Sequence, residues 1–139
     1  LERINRKGFK MKIELSIDNA YVNKYCMEAQ AESINGGDIL DYFSTDELEE
    51  LLDIWIKALK VGGQIIIGGT DIFLLSKNAI NRSKELIDIN AVLFKRDNPI
   101  KSITSIESTK EFLISLGCEI SNIEFDFNSC SYCVEAYKI

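Results

Sequence analysis

The sequence predicts an α/β fold in which a mostly parallel sheet ends in an antiparallel hairpin. Three observations carry this prediction: an amphipathic helix runs directly into an apolar strand, further helical segments follow it, and two alternating strands close the chain. Strand, helix and strand in this order imply a right-handed crossover between parallel strands. A short polar link joins the last two strands, which predicts that they pair antiparallel.

The front of the chain carries a weaker pattern. Residues 12–17 alternate between apolar and polar side chains, which predicts a first strand that ends at Asp18. A second, short strand is predicted over residues 31–34, followed by a turn at residues 35–37. Residues 19–31 otherwise favour neither a helix nor a strand.

The helix predicted over residues 45–60 is the clearest element. Ser44 and Glu47 have the spacing of a capping box, and Gly62 marks the end of the element. Apolar side chains recur at helical spacing along one face; they are Leu48, Leu51, Leu52, Trp55, Ile56 and Leu59. The apolar run at residues 64–69 then predicts a strand that is covered on both faces.

Two more helical segments are predicted between residues 72 and 94, with a break near residues 81–83. The apolar residues expected to line them are Ile72, Leu75, Ala79, Ile80, Leu86, Ile89, Leu93 and Phe94. A loop is predicted over residues 95–102.

The end of the chain predicts one helix and the closing hairpin. Thr104 and Glu107 have the spacing of a second capping box, and Gly117 ends the helix that they begin. Residues 120–127 and 132–137 alternate between apolar and polar side chains, which predicts an antiparallel pair of strands.

Composition disfavours several classes of function. The chain has 139 residues, of which 46% are hydrophobic and 27% charged, as in a globular protein with one core. Its net charge of −6 argues against a nucleic-acid partner, and its apolar runs are shorter than the ~20 residues of a membrane span. The absence of histidine removes Ser-His-Asp and Cys-His catalysis.

Two of the four cysteines have a spacing that suggests a zinc or redox site. Cys130 and Cys133 have the CxxC spacing of zinc and redox sites. On a strand this offset places the two thiols on opposite faces, so they share a metal only if Cys130 belongs to the turn. We expect the four cysteines to pack in the interior and predict no metal site.

Residues 1–10 are predicted to be a flexible N-terminal arm or tag, because Leu1 is not an initiator and Met11 looks like a natural start. Residues 11–139 are then expected to form a single domain. The basic residues of the arm are interpreted as a solvated tail, with an RNA-touching arm as the alternative. Because charged residues interrupt any signal sequence, we expect a cytoplasmic location in a bacterial or host cell, or in a virion.

Several segments, taken in order, resemble the half of class I S-adenosylmethionine-dependent methyltransferases that follows the cofactor loop. The acidic and aromatic residues 38–43 precede the clear helix, and Leu59-Lys-Val-Gly-Gly leads into the next strand. Residues 111–118 and the closing hairpin are similar to that family's last helix and reversed final strand. The resemblance covers residues 26–139, and more narrowly it is to small methyltransferase-like proteins of bacteria and their phages.

The resemblance implies a truncated, Rossmann-like methyltransferase fold. In the family, the first strand ends in a glycine-rich loop that approaches the cofactor, and an acidic residue after the second strand holds the ribose. Here no glycine stands between Gly8 and Gly36, and too few residues precede Gly36 to build the family's first three strands. The cofactor-loop region is therefore expected to be reduced or missing.

The resemblance also implies positions for ligands. The cofactor-binding candidates are Asp18, Gly36, Gly37 and Asp38, and the substrate-facing candidates are Asp41, Tyr42 and Asp71. Each has a structural alternative. Asp18 caps the next turn, residues 36–38 form a plain turn, Tyr42 packs onto the following helix, and Asp71 caps the helix that begins at Ile72.

The sequence is compatible with three functions. We expect a methyltransferase-like domain that has lost cofactor binding and serves as a structural or interaction subunit, in a homo-oligomer or a larger assembly. A second copy would then cover Ile13, Leu15 and Ile17. The alternatives are an active S-adenosylmethionine-dependent methyltransferase with an abbreviated or shared site, and an unrelated α/β regulatory module.

Overall fold

The computed structural model describes residues 11–21 and 29–139. In chain order, the elements are β1 (Met11–Glu14), β2 (Ala31–Gly37), a 3-10 helix (Ile39–Tyr42), α1 (Thr45–Ala58), β3 (Leu59–Thr70), α2 (Ile72–Ile80), α3 (Leu86–Phe94), α4 (Ile106–Ser115), β4 (Cys118–Asp126) and β5 (Ser131–Lys138). The prediction of an arm at residues 1–10 falls outside the described residues. None of the described helices combines the length and the apolar character of a membrane span.

The five strands form one sheet in the order β1-β2-β3-β5-β4. β1, β2 and β3 run parallel, whereas β5 is antiparallel to both of its neighbours. The predicted fold class and the antiparallel closing hairpin are both confirmed. The last strand lies between β3 and β4, where Val134 pairs with Ile67 on one side and Ile123 on the other.

α1 forms as predicted and supplies one side of the core. Its capping box is present: the Glu47 N–H donates to Ser44 Oγ at 3.3 Å, and the Ser44 N–H donates to Glu47 Oε1 at 3.2 Å. Its buried residues are Leu48, Leu51, Leu52, Trp55, Ile56 and Ala58. Trp55 is fully buried, and its indole N–H donates to the carbonyl of Ala20 at 2.7 Å.

The boundary between α1 and β3 differs from the prediction. The helix ends at Ala58, and the strand begins at Leu59, before the two glycines that the prediction placed between the elements. Leu59 is fully buried and pairs with Ala31 of β2. Pairing with a neighbouring strand therefore overrides the local helical pattern at this point.

The boundaries of β1 and β2 also differ. β2 continues through residues 35–37, where a turn was predicted, because Asn35 pairs with Glu14 on one side and Ile66 on the other. β1 ends earlier than predicted, because Ser16 and Asn19 bond to each other's backbone N–H groups and close a turn.

α2 and α3 are separated by the predicted break, but their predicted apolar faces are buried only in part. In α2, Leu75 and Asn78 are buried, whereas Ile80 is 79% exposed. α3 has no buried residue, and Leu86, predicted to face the core, is 73% exposed. Asn78 is buried because its amide donates to the carbonyls of Leu74 and Phe127, each at 2.9 Å.

α4 is capped one residue later than predicted. The capping box consists of Ser105 and Ser108 rather than Thr104 and Glu107. Thr104 instead bonds to the hydroxyl of Tyr132 at 2.6 Å and forms an isolated bridge to Asp71. Because these partners are remote in the sequence, the local spacing wrongly predicted Thr104 as the cap of α4.

Candidate functional site

Most of the predicted site residues lie where the parallel strands end. Asp38 follows β2, Asp71 follows β3, and Asp41 and Tyr42 lie in the 3-10 helix between them. Open parallel sheets bind ligands at this carboxyl edge. Hydrogen bonds join Tyr42 to Asp38, and Asp41 to Thr70 at the end of β3.

The Asp41 carboxylate is buried and bonded within the chain. It accepts hydrogen bonds from the Thr70 N–H at 2.7 Å, the Thr70 hydroxyl at 2.8 Å and Arg96 Nη1 at 2.7 Å. A Cβ at Gly69 would come within 2.6 Å of Asp41 Oδ1, so a glycine is needed there to admit the carboxylate. This cluster of Asp41, Thr70 and Arg96 ties the 3-10 helix, β3 and the end of α3 together.

The charge of Arg96 is retained within that cluster. Burial alone lowers its pKa, but hydrogen bonds to Asp41 and to Tyr42 outweigh that effect and raise the pKa above its usual value. Burial is also the main cause that raises the pKa of Tyr42. The neutral Tyr42 hydroxyl donates to Asp38 Oδ2 at 3.2 Å.

Asp71 is a helix cap, as the structural alternative predicted. Its Oδ1 accepts from the N–H groups of Phe73 at 2.6 Å and Leu74 at 3.1 Å, at the start of α2. Its Oδ2 accepts from the Ile106 N–H at 2.9 Å, at the start of α4. One buried carboxylate therefore caps the N-termini of both α2 and α4. The sequence predicted only the cap of α2, which directly follows Asp71.

The two glycines after Asn35 differ in their surroundings. A Cβ at Gly36 would lie 2.7 Å from Ile39 Cγ2 and 3.2 Å from Leu15 Cδ1. The space beside Gly36 is thus filled by the chain's own apolar side chains. Gly37 has a φ of +56° and open space around its Cα, and it begins the turn that carries Asp38.

Asp18 is exposed in the turn that follows β1. The bonds that close this turn belong to its neighbours, since Asn19 Oδ1 accepts from the Ser16 N–H at 2.6 Å and Asn19 Nδ2 donates to the carbonyl of Glu14 at 2.8 Å. The capping role that the sequence offered as an alternative is filled by Asn19.

Two open grooves flank the described part of this edge. One has a volume of about 320 Å³ and is acidic; it is lined by Gly37, Asp38, Glu124, Phe125, Asp126 and Cys133. The other has a volume of about 350 Å³ and is lined mainly by Phe73, Leu74, Ile106 and Phe125. Glu124, Phe125 and Asp126 gave no functional signal in the sequence, because their spacing is that of any alternating strand.

The cysteines of the CxxC pattern are not bonded to each other. Cys130 does lie in the turn before β5, with a φ of 60°, and its buried sulfur accepts from Asn78 Nδ2 at 3.4 Å. Burial is the first cause that raises the pKa of both Cys130 and Cys133, which favours the unreactive thiol. Among the described residues, no group of three or more Cys, Asp or Glu is arranged to hold a metal ion.

Sequence comparison finds no matching family model and no matching curated protein. Comparison with solved structures does find matches. The magnesium protoporphyrin IX methyltransferase of Synechocystis PCC 6803, solved with bound SAH, superimposes with a TM-score of 0.57 at 10% identity, over 81% of this chain and 47% of that one. A SAM-dependent methyltransferase from Methanosarcina mazei has a TM-score of 0.59 at 10% identity, over 83% and 62% of the two chains.

A third structure, a SAM-dependent methyltransferase from Archaeoglobus fulgidus, has a TM-score of 0.58 at 13% identity, over 89% of this chain and 66% of that one. The chain thus spans between about half and two thirds of the length of these enzymes. The identities are low, so the likeness concerns the fold. The described part of this chain has the α/β fold of class I SAM-dependent methyltransferases.

Proposed function

We propose that this chain is a methyltransferase-like domain that does not hold S-adenosylmethionine and acts as a structural or protein-interaction subunit. One observation carries the proposal: the buried carboxylates at the ligand edge of the sheet are already bonded within the chain. Asp41 accepts three hydrogen bonds from Thr70 and Arg96, and Asp71 accepts three from the starts of α2 and α4.

The backbone beside the first strand supports the same proposal. A cofactor is held by a cleft that encloses most of its surface and offers a few well-placed polar groups. Here Ile39 and Leu15 fill the space next to Gly36, and the turn after β1 contains no glycine. The described residues therefore do not fit the cofactor at the place where the family binds it. A site without the glycine-rich loop and the acidic residue lacks two of these polar groups. It should bind the cofactor several powers of ten more weakly, and each tenfold loss of affinity corresponds to ~1.4 kcal/mol of binding free energy.

The interaction half of the proposal rests on where apolar surface is exposed. Of the front residues that the sequence suggested a second copy would cover, Ile13 is only 7% exposed and Ile17 is 40% exposed. More apolar surface is exposed on α2 and α3, where Phe73 is 64% and Phe94 is 73% exposed. Clustered exposed apolar residues mark interaction surfaces.

A second candidate is an active methyltransferase with an abbreviated or shared cofactor site. The acidic groove beside Gly37 favours it, because Asp38, Glu124 and Asp126 offer negative charge to a cationic ligand. S-adenosylmethionine carries two positive charges, on its sulfonium and its ammonium group. Under this second candidate, the acidic groove would bind those charges as an abbreviated cofactor site.

Calorimetric titrations of the full chain with S-adenosylmethionine, and with S-adenosylhomocysteine, which lacks the sulfonium charge, separate the two candidates. We expect no saturable heat up to about 1 mM ligand, which corresponds to a binding free energy weaker than about −4 kcal/mol. The Synechocystis enzyme, whose structure contains SAH, is the positive control. Micromolar binding that Asp38→Asn weakens would reject the proposal and establish the acidic groove as a cofactor site.

A further inference from the structure

We propose that Asp41 and Thr70 form a binding site for a guanidinium group, and that the chain's own Arg96 occupies this site. Through that contact, Arg96 holds residues 81–100, the lid segment, against the carboxyl edge of the sheet. The inference goes beyond the proposed function, because it concerns access to this edge and not the cofactor. It follows from the bonds of Arg96, the packing of the lid segment and the anchors at its two ends.

Arg96 donates to the site from two different nitrogens. Its Nη1 donates to Asp41 Oδ2 at 2.7 Å, and its Nη2 donates to Thr70 Oγ1 at 2.9 Å. Asp41 and Thr70 are each 1% exposed, whereas the side chain of Arg96 is 18% exposed. A planar guanidinium matches two acceptors that lie side by side, which the ammonium of a lysine does not. The site is therefore specific for a guanidinium group.

The acceptors of the site are positioned without Arg96. The Thr70 N–H donates to Asp41 Oδ1 at 2.7 Å, and the Thr70 hydroxyl donates to Asp41 Oδ2 at 2.8 Å. Both residues lie outside the lid segment, in β3 and in the 3-10 helix. When the lid segment moves away, a buried carboxylate remains in place without its cation, which is costly. A guanidinium group of a small molecule restores both of the lost bonds.

The lid segment itself packs weakly. α3 has no buried residue, and Ile89, Val92 and Leu93 are only half-buried. Within the described part of the chain, Arg96 is the one residue of the lid segment whose side chain bonds to a residue outside it. Arg96 Nε also donates to the carbonyl of Val92 at 2.8 Å, which connects the site to the last turn of α3. A nine-residue helix has little stability of its own, so α3 depends on this contact.

The chain is anchored on both sides of the lid segment. Before it, the Asn78 amide donates to the carbonyl of Phe127 at 2.9 Å and fixes α2 on the closing hairpin. After it, the Lys101 N–H donates to the carbonyl of Asp41 at 2.7 Å. Because the anchors belong to residues outside the lid segment, the segment opens between them while the core stays folded.

Chemical rescue with methylguanidinium tests the guanidinium site. Arg96→Ala empties the site, and we expect it to bind methylguanidinium with a dissociation constant of roughly 5 mM. About 50 mM should then raise the ratio of folded to unfolded chain about elevenfold in urea unfolding. The native chain, whose site is filled, should show no such increase, and neither should Lys57→Ala, which loses an exposed ion pair on α1. Tetramethylammonium, a cation without hydrogen-bond donors, should not rescue Arg96→Ala.

Amide hydrogen exchange tests whether Arg96 holds the lid segment. In Arg96→Ala, the α3 amides should exchange within about tenfold of the rate of an unfolded chain, whereas the α1 amides should stay protected at least about a hundredfold. Methylguanidinium should not restore the protection of α3, because the added cation is not connected to the helix. This difference separates filling of the site from attachment of the lid segment.

A second variant keeps the test decisive if Arg96→Ala does not fold. Arg96→Lys leaves a cation beside Asp41 but cannot reproduce both bonds. The α3 amides should therefore lose about threefold to tenfold of their protection, while the α1 amides exchange as in the native chain.

The inference is overturned if methylguanidinium stabilises the native chain as much as Arg96→Ala, or if it does not stabilise the variant at all. Native protection of the α3 amides in Arg96→Lys would equally overturn it. None of these measurements involves S-adenosylmethionine, so the proposed function and this inference fail separately.

Discussion

α1 and α3 are both helices rich in apolar residues, yet they meet very different surroundings. α1 buries six residues against the sheet, including the fully buried Trp55, whereas α3 buries none. The difference does not come from hydrophobic content, because α3 has the higher share of apolar residues. In α1 the polar residues are segregated on one face, and in α3 apolar residues continue around to the outer side. Apolar content alone therefore does not decide which helix enters the core; what matters is whether its polar residues are segregated on one face.

The largest expected effect tests whether α1 packs in the core while α3 lies on the surface. Trp55→Ala should lower the free energy of unfolding by about 3–5 kcal/mol, because it opens a cavity and removes the hydrogen bond to Ala20. Phe94→Ala should change it by less than about 0.5 kcal/mol in dilute solution, because the ring is 73% exposed. Urea unfolding at submicromolar concentration measures both. Similar losses in the two variants would contradict the comparison.

The next effect concerns how α3 is attached. Arg96→Met should cost roughly 2–4 kcal/mol, because it leaves the buried Asp41 carboxylate without its cationic partner. Lys57→Met, which removes an exposed ion pair with Asp53 on α1, should cost less than about 0.5 kcal/mol. If Arg96→Met is as mild as its control in urea unfolding, then polar contacts do not hold α3 to the sheet.

A pH-dependent effect extends the comparison to α4, which is attached through a tyrosine. The buried Tyr132 hydroxyl bonds to Thr104 and Thr109 at 2.6 Å, and burial raises the pKa of Tyr132 to about 12. The folded chain therefore holds the phenolic proton more tightly than the unfolded chain. This contribution to stability is complete below pH 10 and is lost as the pH rises from 10 to about 12.

On the order of 1–3 kcal/mol should disappear over that range from this residue. The measurement is the urea midpoint of the native chain and of Tyr132→Phe between pH 9 and 12. The difference between the two slopes of urea midpoint against pH gives the contribution of Tyr132 alone, without that of the other tyrosines. Equal slopes for the native chain and Tyr132→Phe would show that the Tyr132 proton is not held more tightly in the folded chain.

The smallest effect concerns the caps of the two helices. Ser44→Ala should cost about 1 kcal/mol, because it opens a capping box next to the buried face of α1. Asp88→Ala removes the side chain that accepts from the Glu85 N–H in the capping box at the exposed start of α3, and it should cost less than about 0.5 kcal/mol in dilute solution. Equal costs in thermal unfolding would mean that the start of α3 is as firmly packed as that of α1.

Elements whose signals lie within a few residues were predicted from the sequence. α1 has its cap and apolar stripe inside one segment, and the closing hairpin has its alternation and link side by side. The end of β2 was missed because its partners, Glu14 and Ile66, are remote in the sequence. The sequence showed that α3 is a helix but not which of its faces packs, since that depends on neighbours.

The candidate site was predictable only in part, for the same reason. The capping role of Asp71 at α2 was visible from adjacent residues, whereas its bond to the start of α4 spans much of the chain. Arg96 gave no signal, because its partner Asp41 is far away in the sequence. Long-range polar contacts have no period and no fixed spacing, so sequence patterns do not reveal them.

Amide hydrogen exchange on the dilute chain tests most directly the central claim that α1 packs in the core whereas α3 lies on an exposed face. We expect the α1 amides to exchange only through global unfolding, and the α3 amides to exchange faster through local opening. Protection of the α3 amides equal to that of the α1 amides would contradict the claim.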